Sequence, residues 1–145
     1  MNPPRYPLSD LRSKLIRLAH CNPDLQPHLL PLLKDARHRL DGVRGHQLMP
    51  RAATRKIPAV YTQQDVEDPM AWVKLFSPYS GAVWYITEYD PSSGEAFGWA
   101  QMHPGGGELG YIDIGELEGS HRRGLPLVER DMYWKPRVLS KAKHS

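Results

Sequence analysis

Six carboxylates crowd the last third of the chain: Glu108, Asp113, Glu116, Glu118, Glu129 and Asp131, with His103 and His121 among them. Neighbouring acids can pass a proton, hold a water for attack or grip a hard cation. On a strand, Glu129 and Asp131 would project to the same face and could act together. The spacings that mark such sites are missing. The chain has no H-x-x-x-H, H-E-x-x-H or D-x-D-x-D. Glu is also ordinary on short surface helices, and Arg130 and Lys135 stand close enough in sequence to pair with nearby acids. The expectation is no catalytic residue, no metal ligand and no cofactor.

A second chemical possibility is the run HPGGGELGYIDI, His103 to Ile114. A phosphate cradle needs converging backbone N–H groups at a helix N-terminus, with Lys, Ser or Thr beside them. Here one strand-like run leads into the glycines and another leads out. Glu108 follows directly and would repel a phosphate, and no Lys lies in the loop. The run is therefore read as a tight hairpin turn, where glycine supplies positive φ.

The elements around these residues follow from periodicity. Ser9 to Leu40 carries leucines at helical spacing, with Ser9 or Asp10 as N-cap and a stop at Cys21-Asn22-Pro23. A helical hairpin is expected over 1–40, with Pro27 and Pro31 disturbing its second arm. Residues 41–58 lack apolar periodicity and scatter Arg44, Arg51, Arg55 and Lys56, which reads as a basic linker. Residues 59–139 read as the folded domain. AWVKLF, AVWYITEY, FGWAQM and LGYIDI are strand-like, joined by turns at SPYSG, DPSSGEA and HPGGG. Short turns between successive strands imply an antiparallel sheet. Asp113 with Glu116 three residues on makes a capping box, so a short helix is expected over 116–121. LPLVERDMYW returns as a strand, ended by Pro136. The last residues, 140–145, are a basic tail. The fold class is α+β: a helical hairpin, then a small antiparallel sheet with one short helix.

Composition narrows the classes. The chain has 145 residues, with 12 Gly and 14 Pro, which predicts short elements and many turns. Its one Cys excludes an internal disulfide framework and a cysteine-rich zinc site, and a reducing cytoplasm is expected. The N-terminal MNPPRYPLSD lacks the apolar core of a signal peptide, and no run of about 18 apolar residues spans a membrane. Residues 1–58 carry eleven Lys and Arg against four Asp and Glu, a balance of +7, and residues 59–145 carry eight against twelve, a balance of −4. Such asymmetry points to an anionic partner or to a contact between complementary halves.

VKLFSPYSGAVWYITEYDP, AFGWAQM, ELGYIDIGELE and GLPLVERDMYWKP, together spanning Val73 to Pro136, resemble the family catalogued as domain of unknown function twenty-nine fifty-eight. Asp113 stands where members often carry Ser, and both residues can cap. The resemblance implies a bacterial protein of plasmids, integrative elements or phages, encoded beside replication, conjugation and anti-restriction genes. It transfers no catalytic residue. The front segment is also similar to a short helical module of phage and mobile-element proteins.

The expected function is therefore an accessory protein that acts by binding a protein or nucleoprotein complex, an anti-defence inhibitor being its most concrete form. The alternative is a DNA- or RNA-binding protein that uses the basic front half, and the third is an enzyme using the carboxylates. The binding candidates are Arg44, Arg51, Arg55, Lys56, Tyr133 and Lys135. The arm offers no Trp, Tyr or Phe before Tyr61, so base stacking has little material there. ERDMYWKP, read as a strand, places Tyr133 on one face, and Met132 and Trp134 on the other as core. The oligomeric state is left open.

Overall fold

The computed structural model describes residues 40–144. Its centre is a five-stranded antiparallel sheet in the order β5-β4-β3-β2-β8. The strands are β2 (Val73–Phe76), β3 (Val83–Asp90), β4 (Glu95–His103), β5 (Gly106–Asp113) and β8 (Glu129–Arg130). A two-residue strand, β1 (Met70–Ala71), pairs with β9 (Arg137–Val138), and β6 (His121–Arg122) pairs with β7 (Leu125–Pro126). Helices are short: α1 (Arg51–Thr54), α2 (Ile114–Gly119) and α3 (Leu139–Ala142), with a helical stretch ending at Arg44 before them.

The three predicted hairpins form where the turn residues stand. Ser77 and Ala82 close the first. In the second, the Asp90 carboxylate accepts from Ser92 N and the Ser92 and Ser93 hydroxyls, and Gly94 takes φ +78°. In the third, His103 pairs with Gly106 across Pro104-Gly105, and Gly105 takes φ +95°. Pro followed by a positive-φ glycine is the type II pattern, so Pro104-Gly105 is the turn, while Gly106 and Gly107 already belong to β5.

The capping reading also holds. Asp113 accepts from Glu116 N at 3.2 Å, although the helix runs over 114–119 rather than 116–121.

The expected α+β architecture, with a helical hairpin ahead of the sheet, requires correction. The described structure is mostly sheet with only short helices, because the apolar residues available follow a period of two. The helical hairpin lies, apart from Leu40, outside the described residues. The 41–58 stretch is no linker. Leu48 is fully buried, and Met49 and Ile57 pack beside it on a core of Val73, Leu75, Trp84, Ile86, Ile112 and Val128. Nor is 140–144 a loose tail. Leu139 and Ala142 are buried against Ala71 and Tyr85 on the other face of the sheet. The two layers explain why β3 is buried from Trp84 to Tyr89 without interruption.

The returning strand is broken as well. Pro126 has no N–H to donate, and Arg123 and Gly124 take φ of 53° and 80° in a two-residue turn between β6 and β7. Only Glu129 and Arg130 join the main sheet, opposite Phe76 and Leu75. Asp131 N still donates to Lys74 O of β2 at 2.9 Å, and residues 132–136 then leave the sheet through a turn in which the Asp131 carboxylate accepts from Tyr133 N at 2.9 Å. Met132 is exposed and is not core.

Candidate binding surface

The carboxylates do not assemble. Glu108 lies on β5 and Glu129 on β8, at opposite edges of the sheet. Asp113 caps α2, and Asp131 holds its own turn. Among the described residues no group of three or more His, Cys, Asp or Glu is placed to hold a metal ion.

The basic candidates separate into different environments. Arg44 is buried. Its Nε donates to Val128 O at 2.8 Å, Nη1 to the Asp41 carboxylate at 2.8 Å and Nη2 to Glu118 O at 3.1 Å. Burial presses its pKa down, and Asp41, Glu118 and Glu129 oppose that. It ties three segments together and is not on the surface. Arg51 and Arg55, four residues apart on and just after α1, are exposed and line a cleft of about 900 Å³ with Met49, Ile57 and Tyr89. Lys56 is exposed beside them. Tyr133 and Lys135 are elsewhere, both exposed, flanking Trp134. Trp134 packs on Tyr85, donates from Nε1 to Ala71 O at 3.0 Å and carries the Arg137 guanidinium 4.2 Å above its ring. The six residues thus form no single patch.

One neighbouring group gives a pH prediction. His46 Nε2 accepts from Arg130 N at 3.1 Å, which only an unprotonated nitrogen can do. Burial first, then the Arg130 and Arg44 charges, hold its pKa below the usual imidazole value. The unfolded chain therefore binds this proton at a higher pH than the folded one. The contribution is complete above about pH 6.5 and is lost as pH falls from there through the lower folded value. Thermal melts between pH 7.5 and 5 should show this loss. His46→Gln, whose amide oxygen still accepts at any pH, should flatten it.

A surface the sequence did not reveal lies on the sheet face opposite the main core. Phe97 on β4 sits across from Tyr111 on β5, and their rings meet edge to face at 5.1 Å. Tyr61, from the loop before β1, adds a third ring 5.6 Å from Tyr111. Leu109 lies two residues along β5 on the same side. Tyr61, Leu109 and Tyr111 remain 57%, 51% and 56% exposed. Phe97, Leu109 and Tyr111 line a cleft of about 770 Å³ that continues past Val66, Glu88 and Lys143.

Tyr61 reaches this position under strain. It takes φ 73°, which a bulky side chain rarely adopts. Glu88, only 3% exposed, holds it there, because its Oε2 accepts from Thr62 N at 2.8 Å and Gln63 N at 3.0 Å. A buried carboxylate thus fixes the turn that puts Tyr61 on Tyr111. Strain of this kind persists only where surrounding structure enforces it, and it concentrates at binding sites. The alternation of Leu109 and Tyr111 with Ile112 was the available sequence signal. It marked a strand, but not which face would be left uncovered.

Trp99 lies next along β4, and the Lys143 ammonium sits 3.7 Å from its ring centroid. Gly107 makes room for it. A Cβ there would lie 2.6 Å from the indole.

A family model described as "Protein of unknown function (DUF2958)" matches residues 46–141. No curated protein and no solved structure matches the chain. No helix among the described residues is long and apolar enough to cross a membrane.

Proposed function

The chain belongs to that DUF2958 family, and on this premise we propose that it works by binding another macromolecule rather than by catalysis. The observation that carries this is the strained, exposed Tyr61, held by buried Glu88 beside Phe97 and Tyr111. An enclosed core gains nothing from such an arrangement, whereas a contact surface gains a rigid aromatic anchor. The resemblance to proteins of plasmids, integrative elements and phages supports the setting: a cytoplasmic accessory protein of a bacterial mobile element. Inhibition of a host defence complex is its most concrete form.

A second reading, direct binding of DNA or RNA, is favoured by Arg51 and Arg55 lining one cleft with Lys56 beside it. Such binding would fall steeply with salt.

One experiment separates the two. Tagged full-length protein is used to capture partners from host lysate, with and without nuclease, as the native chain, as Tyr61→Gly and as an Arg51, Arg55 and Lys56 charge reversal. A protein catch that survives nuclease and is lost in Tyr61→Gly is the expected result. Glycine accepts φ 73° without strain, which offsets the loss of the Tyr111 ring contact, so this variant should fold and melt within a few degrees of the native protein. A catch that disappears with nuclease and with the charge reversal transfers the function to the basic cleft. Unchanged capture by Tyr61→Gly removes the aromatic surface from the reading.

A further inference from the structure

The aromatic strip also indicates the chemistry of what it binds. On this face of the sheet, rings take cations. Lys143 lies over Trp99, and Arg137 and Lys74 approach Trp134 at 4.2 and 5.7 Å. The Tyr61, Phe97 and Tyr111 cluster has no cation over it among the described residues. Its surroundings are acidic. Glu67, Asp68 and Glu88 line the adjoining cleft, and the Tyr61 hydroxyl stands 3.5 Å from Glu95 Oε1. Lys143 is the one ammonium lining that cleft among the described residues, and it is engaged with Trp99. The Glu95 charge also raises the Tyr61 pKa, a sign of negative potential at the rings.

We propose that the strip docks a cationic segment of a protein partner, with an arginine or lysine side chain lying on the Tyr61–Tyr111–Phe97 rings, between Glu95 and the acidic cleft that holds Glu67. This rests on the binding reading above and specifies its partner. An aromatic face and carboxylates together favour a guanidinium or ammonium over a neutral side chain. A single-stranded nucleic acid could stack on the same rings, but its phosphates would meet the Glu67, Asp68 and Glu95 carboxylates. The chain as a whole carries +3, so general attraction does not account for capture of a basic peptide. Any such capture has to be local.

The test uses full-length protein and fluorescein-labelled peptides of alternating arginine and glycine. A matched peptide carries citrulline, the neutral isostere of arginine, and a labelled oligothymidylate is the third probe. The arginine peptide should bind, with affinity falling as salt rises. Citrulline should weaken it by about tenfold, the loss of a cation–π contact and its ion pairs. Glu95→Gln and Glu67→Gln together should weaken the arginine peptide but not the citrulline one, and Tyr61→Gly should remove both. Equal binding of the two peptides, absence of binding by the arginine peptide, or Tyr61-dependent binding of the oligothymidylate would overturn the proposal. If lysate capture still requires Tyr61 while the arginine peptide fails, the binding function stands and only the cationic partner is lost.

Discussion

Gly98→Ala unfolds this domain or leaves it insoluble. Gly98 lies in β4 opposite Ile86, where the β3–β4 register slips between Ile86 and Glu88. The extra residue, Thr87, donates from its hydroxyl to Phe97 O at 3.0 Å and draws the bulged backbone over β4. A Cβ on Gly98 would overlap the Tyr85 carbonyl oxygen and crowd the Ile86 Cα. Backbone cannot rotate away as a side-chain end can. Both neighbouring strands pack on the core, so the strain has no outlet. The destabilisation should exceed about 4 kcal/mol, a large share of the roughly 5–15 kcal/mol of an ordinary domain. That corresponds to a fall in melting temperature of at least about 15 °C. Gly110→Ala is the matched control. Gly110 pairs directly with Gly98 from β5, and a Cβ there meets nothing within 4 Å. It should melt within a few degrees of the native protein. A Gly98→Ala protein that melts beside this control would refute the close approach.

Arg44→Met should be the next most damaging change, costing about 3 kcal/mol in chemical denaturation at neutral pH. Methionine fills much of the stem volume but donates nothing. The carbonyls of Glu118 and Val128 then lose their Arg44 donors inside the protein, and Asp41 loses the guanidinium. These partners belong to the end of α2, the approach to β8 and the helical stretch before α1, so the loss is felt across the packed layer. Arg44→Lys should recover only part, because one ammonium cannot reach three directions as a planar fork does. Equal stability of Arg44→Met and the native protein would show that the fork is dispensable. Either variant should leave Tyr61 and its rings in place, on the other face of the sheet.

The two glycines Gly98 and Gly110 look alike in the sequence, and so do Arg44 and Arg51. Local chemistry could not separate them. What local chemistry did specify was considerable. Pro104-Gly105 and Asp90 with its serines placed two turns, Asp113 capped a helix, and runs of β-branched and aromatic residues between turns located four strands. Each of these depends on residues a few positions apart, so the chain determines them alone. The basic stretch 41–58 reads as a linker because Leu48, Met49 and Ile57 follow no regular period, and they become core only when the sheet face exists beneath them. The final strand reads longer in the sequence than it is in the fold, because pattern does not say where a sheet partner ends. Beyond Asp131, whose N–H makes the last bond to β2, the chain turns back on the Asp131 carboxylate instead of pairing.

The binding surface was least legible. Tyr61, Phe97 and Tyr111 lie far apart along the chain and meet only because β4 pairs with β5 and Glu88 captures a distant loop. Sequence alone determined the local turns, the cap and the strands. Tertiary structure decided which arginine is buried, which glycine cannot change and which aromatics face outward, because each depends on what the other side of the sheet leaves uncovered.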